Sequence, residues 1–168
     1  MVEVRIQQIG VEPQSQAHVV LLKEKDGERS LPIWIGRPEA EAIAAHVSGV
    51  PHDRPMTHDL AAALIRGLDG LLRRVQVVRV VKGTFHAELH LTRGGHQVVV
   101  DARPSDAIAI AVRLEAPIFV ADALFDDEDN VGIGLPPQAP SDDEHLSPEE
   151  LKRRLTGLRP EDFGKFTP

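Results

Sequence analysis

Two short stretches of the chain gather residue types that can do chemistry. The first is Arg54-Pro55-Met56-Thr57-His58-Asp59, where an imidazole stands beside a carboxylate at what reads as a helix start. A His next to an Asp can act as a general acid or base, because the carboxylate tunes the charge state of the ring. The same residues also read as a helix cap, with Thr57 as the N-cap, Asp59 in the first turn and His58 simply exposed. The second stretch is Asp101-Ala102-Arg103-Pro104-Ser105-Asp106, at the junction of a strand and an apolar helix. Pro104 suits the first helical position, where the backbone N–H it lacks has no intrahelical partner. Two carboxylates near one guanidinium could hold a divalent metal ion or a phosphate-bearing ligand at the helix N-terminus. An Arg–Asp ion pair with an N-cap is the competing reading. Spacing alone does not bring His58 to Arg103 or Asp106.

Other candidates carry less. Lys82-Gly83-Thr84-Phe85-His86 reads as a tight strand-to-strand turn whose Gly permits positive φ, and a phosphate loop would need more glycines and a following helix. His18, His46, His86, His90 and His96 follow no zinc spacing. His52, Asp53, His58 and Asp59 could gather a metal only within one loop. No Gly-x-Ser-x-Gly elbow, Walker loop, dinucleotide fingerprint or His-Glu-x-x-His occurs. With no Tyr and one Trp, little aromatic surface exists for stacking bases.

The elements that must position these residues follow from hydrophobic patterning. Strands are expected over 2–9, 17–25 and 31–35, and a helix from Pro38 to about Val47 that ends at Ser48-Gly49-Val50-Pro51. A second helix is expected over 57–72, with Leu60, Leu64, Leu68 and Leu71 on one apolar face. Strands near 74–82, 84–92 and 96–102, a helix over 104–114 and a short extended segment over 117–120 complete the pattern. An offset of 66 aligns Ile33 with Val99, Arg37 with Arg103 and Pro38 with Pro104, and turn signals (Asp26-Gly27, Gly94-Gly95) precede the last strand of each copy. The fold expected is α+β: internally duplicated β-β-β-α units forming a mixed or antiparallel sheet packed with helices. An acidic linker and a short C-terminal helix opened by Ser147-Pro148 follow. The domain expected is 1–125, with 126–168 as a tail.

Charge is unevenly placed. Residues 1–125 hold 14 Lys and Arg against 15 Asp and Glu, whereas 126–168 hold 5 against 11. A near-neutral body argues against tight, sequence-independent duplex binding, although Arg73, Arg74, Arg79 and Lys82 could form a local basic patch. The absence of cysteine excludes disulfides and thiolate metal sites. No basic segment followed by an apolar run opens the chain and no run is long enough to span a bilayer, so a cytoplasmic protein without membrane attachment is expected.

Five ordered motifs then carry a resemblance. Leu31-Pro32-Ile33-Trp34-Ile35-Gly36, Glu39-Ala40-x-Ala42-Ile43-Ala44, Arg54-Pro55-x-Thr57-His58-Asp59-Leu60, Gly83-Thr84-Phe85 and Asp101-Ala102-Arg103-Pro104-Ser105-Asp106-Ala107-Ile108-Ala109 together resemble the bifunctional nuclease domain family over about residues 1–125. The resemblance implies hydrolysis of phosphodiester bonds in RNA or DNA, an activity attributed mainly to plant members, and homo-oligomers, with a dimer favoured. Under that reading His58 is the acid/base and Arg54 and Arg103 hold the substrate phosphate. Asp59 and Asp106 join the catalytic group, and Asp101 with Asp106 would bind Mg2+ or Mn2+ or orient their neighbours. The alternative is a non-catalytic oligomeric binding or regulatory module in which both clusters are caps and subunit contacts. Whether the two clusters meet in one open cleft separates these readings.

Overall fold

The computed structural model describes residues 1–12 and 16–126. The strands are β1 (Val2–Val11), β2 (His18–Glu24), β3 (Ser30–Ile35), β4 (Gly70–Val81), β5 (Thr84–Arg93), β6 (His96–Ala102) and β7 (Ile118–Val120). The helices are α1 (Arg37–Val47), α2 (Thr57–Gly67) and α3 (Pro104–Leu114), and a 3-10 turn covers Asp122–Leu124. One seven-stranded sheet runs in the order β3-β2-β1-β7-β4-β5-β6.

The expected duplication is visible in this order. Two antiparallel meanders, β1-β2-β3 and β4-β5-β6, each feed a helix, and β7 joins them, antiparallel to β1 and parallel to β4. Gly94 and Gly95 both take positive φ between the paired residues Arg93 and His96, as a two-residue hairpin with right-handed strand twist requires. Register shifts in β1 (Ile6 to Gln8) and β4 (Leu72 to Arg74, Val77 to Arg79) bend the sheet around its helices.

All three helices pack on one face. Helix α3 lies between α1 and α2, and each of the three contacts the sheet, α1 at β2, α2 at β4 and α3 at β4 and β5. Ala107 through Ala111 of α3 are buried on every side, as a helix apolar all round should be. Ile43 and Ile108, matched in the two copies after a one-residue slip in the offset, are both fully buried beside Val20, Leu22, Val75 and Val77. The opposite face of β1–β3 carries Val19, Leu21, Pro32 and Trp34 around an open groove of about 400 Å³.

One expectation is corrected here. The helix expected over 57–72 ends at Gly67, and Leu71 and Leu72 belong to β4. The cause is local: Asp69 takes φ of 55°, and a Cβ on Gly70 would come within 2.9 Å of the Ile65 carbonyl oxygen. The glycines at 67 and 70 mark a helix-to-strand reversal that the leucine periodicity overrode. That leucine stripe also faces outward: Leu60, Leu64, Leu68 and Leu71 are 53–56% exposed. The side of α2 facing the core carries Ala61, Ala62 and Ile65 instead. The acidic tail and the helix expected after Ser147 lie outside the described residues.

Candidate functional site

The starts of α1, α2 and α3 converge. A shallow cleft of about 270 Å³ is lined by Pro38, Glu39 and Ala42 of α1, by Met56, Thr57 and His58 at the α2 start, and by Arg103 and Asp106 at the α3 start. The convergence follows from the duplication: α1 and α3 leave equivalent strand ends through the same Arg-Pro step, and α2 closes against α3. Three helix N-termini, each with a partial positive charge of about half a unit, therefore face one space.

Asp106 organises the cleft. Its carboxylate accepts from Arg103 Nε at 2.7 Å and Arg103 Nη2 at 3.1 Å, and it lies 3.0 Å from His58 Nε2. Arg103 Nη2 also reaches Glu39 Oε1 at 3.0 Å, so one guanidinium bridges carboxylates from α1 and α3. Burial pushes the Asp106 carboxyl up, but hydrogen bonds from Arg103 and His58 outweigh it and hold the group below the usual carboxylate range. Asp106 is thus ionised at neutral pH and can only accept, which places the proton of neutral His58 on Nε2 and leaves Nδ1 as its basic nitrogen. The His58 side chain is 13% exposed and the Arg103 side chain 66% exposed, so the imidazole is sheltered while the guanidinium meets solvent.

Asp59 does a different job. It caps α2 by accepting from the Met56 N–H at 2.8 Å, so Met56 rather than Thr57 occupies the N-cap and the cap is the carboxylate three residues on. Its other oxygen accepts from Arg113 Nε at 2.5 Å. Arg113, in the last turn of α3, is buried and also donates to Ala109 O at 2.8 Å and Ala42 O at 3.1 Å, tying the three helices together. The hydrogen bond from Arg113, and then that from Met56, lower the Asp59 pKa. Asp59 therefore holds α2 in place, and His58, its neighbour, is aimed by that attachment.

Arg54 lines a neighbouring hollow of about 310 Å³ with His46, His52, Asp59 and Arg113, beyond the first turn of α2. Asp101 lies on the opposite face of β6 from Val100 and Ala102, with His86 Nδ1 at 3.9 Å, and does not line the cleft. Asp101 and Asp106 are thus not gathered as a cation site. Among the described residues no three His, Asp or Glu side chains converge as metal ligands, and both Asp106 oxygens are engaged.

Of the expected residues, then, His58, Arg103 and Asp106 come together, Asp59 and Arg54 stand beside them, and Asp101 is apart. Sequence reasoning missed Glu39 and Arg113. Glu39 was readable as the acidic partner in the first turn after Arg37-Pro38, and Arg113 as the one cation following the all-apolar run Ala107 to Val112 of α3.

An α+β sheet with one helical layer, carrying an Asp–His–Arg cluster where helix starts meet, defines the class of protein. The chain belongs to the bifunctional nuclease domain family, whose sequence pattern matches residues 20–131. It is 41% identical to an uncharacterised protein of Mycobacterium tuberculosis, over 97% of this chain and 98% of that protein. It is 31% identical to bifunctional nuclease 2 of Oryza sativa subsp. japonica over 65% of this chain, and 33% identical to bifunctional nuclease 2 of Arabidopsis thaliana over 60%. The matched part is 34% and 32% of those two plant proteins, respectively. No helix among the described residues is long and apolar enough to cross a membrane.

Proposed function

We propose that this chain is a nuclease that hydrolyses phosphodiester bonds of RNA or DNA in the cleft where α1, α2 and α3 begin. The observation that carries the reading is the His58–Asp106–Arg103 cluster, assembled from two helix starts in an open cleft. Asp106 fixes the tautomer of His58, so Nδ1 accepts the proton of the attacking water as its oxygen bonds to phosphorus. The imidazolium so formed, stabilised by Asp106, returns the proton to the leaving oxygen as the old phosphorus–oxygen bond breaks. Arg103, exposed and braced by Glu39 and Asp106, balances charge on the non-bridging oxygens, and the helix N-termini add to that field. Arg54, in the adjoining hollow, holds a flanking phosphate. Because Glu39 and Asp106 offset Arg103, binding is weak and falls with salt.

The test is cleavage of labelled single-stranded RNA and DNA by highly purified protein, with and without Mg2+ or Mn2+, beside His58→Ala and Asp106→Asn from identical preparations. Each variant is expected to lose about 10²–10⁴-fold in rate. Full activity in both would remove the assignment. One observation favours a non-catalytic binding module, namely that the cleft carboxylates are already ion-paired. Nucleic acid bound with no cleavage under any condition would select that alternative.

A further inference from the structure

We infer that Arg73 and Arg74, brought to one side of β4 by a bulge, form a binding site for a phosphate group on the sheet face that carries no helix. This inference does not rest on the chemistry assigned to the cleft.

The bulge is what puts both guanidiniums in one place. Successive strand residues point to opposite faces, so neighbouring arginines on a regular strand would part. In β4, Leu72 pairs with Leu91 and Arg74 with His90, so two steps on β4 match one on β5 and Arg73 is the extra residue. Leu72 and Val75 on either side are buried, whereas Arg73 and Arg74 are both exposed. A bulge re-aims side chains in this way, setting two residues against one. Both arginines line a hollow of about 40 Å³, together with His90, Thr92 and Gln97. Leu89 and Leu91 of β5 pack into the core under the helices, so His90 and Thr92 stand on the other face, and Gln97, paired with Thr92, joins them.

The charge around this hollow is not balanced. Arg29, Arg37, Arg103 and Arg113 each bind a carboxylate. Among the described residues Arg73 has no hydrogen bond or ion pair, and Arg74 meets only His90, whose Nδ1 lies 3.5 Å from its Nη2. A guanidinium can only donate, so Nδ1 is the acceptor and the ring proton sits on Nε2, which donates to Glu88 Oε2 at 3.0 Å. Glu88 is thus engaged in orienting His90, which steers Arg74, and no carboxylate lines the hollow. Two like charges side by side repel, and an anion between them turns that repulsion into attraction.

The donors suit a tetrahedral oxyanion. Arginine pairs bidentately with phosphate oxygens, and the Thr92 hydroxyl and Gln97 amide add neutral donors beside the pair. The hollow is about three times the space that one water molecule needs, which fits a phosphate group and not a whole nucleoside. Two carriers can bring that group: a polynucleotide strand, or a free phosphate or nucleotide. Val99, also on the wall of the hollow, stands four residues before Arg103, about 13 Å along the edge strand β6 from the cleft. A strand held at the hollow reaches the cleft around that edge, and a free phosphate reaches the hollow from solvent.

The test compares the wild-type chain with the double variant Arg73→Gln, Arg74→Gln, using two probes. Inorganic phosphate is expected to raise the melting temperature of the wild type above that in chloride of equal ionic strength, and to leave the double variant unmoved. Binding of a labelled single-stranded oligonucleotide is measured with His58→Ala added to each chain, which keeps the probe intact. It should weaken about tenfold for each arginine replaced, and the slope of log affinity against log salt should shrink by about 0.7 for each. Arg79→Gln removes the same charge from the same strand outside the hollow and should leave both readouts unchanged. The exposed arginines make no ion pair, so the double variant keeps the wild-type far-UV spectrum. Oligonucleotide binding lost in the double variant, with or without the phosphate effect, assigns the site to a strand. Loss of the phosphate effect alone assigns it to a free phosphate or nucleotide. Equal binding of both probes by wild type and double variant, binding of neither probe, or an equal loss in Arg79→Gln overturns the proposal.

Discussion

Replacing Arg113 by Met tests how the candidate cleft is held together. Arg113 makes three hydrogen bonds from a buried guanidinium, to Asp59 Oδ1, Ala109 O and Ala42 O. The two carbonyls lie within helices and keep their i+4 backbone donors when the guanidinium is removed, so neither is orphaned. The loss falls on Asp59, which is 31% exposed and can be rehydrated. Removing one partner of a fully buried pair costs about 3–5 kcal/mol, and the partial exposure of Asp59 brings the expected cost to about 2–3 kcal/mol. Asp59→Asn keeps an acceptor for the Met56 N–H and should cost about 1–2 kcal/mol. The double variant should be more stable than the sum predicts, with a coupling of about 1–2 kcal/mol. Urea unfolding of the full chain, followed by far-UV circular dichroism and by the single Trp34, measures all three. A cost below about 0.5 kcal/mol for Arg113→Met, or strict additivity, would refute the claim that this pair anchors α2. In the cleavage assay Arg113→Met should also lower turnover, because α2 aims His58.

Further outcomes follow from the same geometry. Asp59 and Asp106 both have folded-state pKa values below their unfolded ones, so the stability they contribute is fully present above about pH 4 and is lost as pH falls through the folded values. Acid unfolding should therefore be less steep in Asp106→Asn, and an unchanged midpoint and slope would contradict the pairing. Arg54→Ala should raise KM with little change in kcat, whereas Arg103→Ala should lower kcat, because Arg54 lines the adjoining hollow and Arg103 the cleft itself. Gly70→Ala should destabilise by about 1–3 kcal/mol, read as a lowered melting temperature, since its Cβ meets the Ile65 carbonyl oxygen, which is backbone and cannot swing aside.

The sequence by itself determined the elements and their duplication. Alternating apolar residues, the Gly94-Gly95 turn and the paired Arg-Pro helix starts are local signals, and each appears in the structure, within a residue or two except at the start of β4, which begins four residues before the expected 74. It also named His58, Arg103 and Asp106, because charged and titratable residues at helix starts are conspicuous in one dimension. Local periodicity failed at α2, where the leucine stripe marks the outward face and the small residues Ala61 and Ala62 face the core. A helix pattern shows that one face is apolar without showing what covers it. Convergence was decided only in three dimensions: 48 residues separate His58 from Asp106, and the order of strands brings their helix starts together. The same topology turned Asp101 away from Asp106, because successive strand residues point to opposite faces and the ladder with β5 fixes which face each one takes.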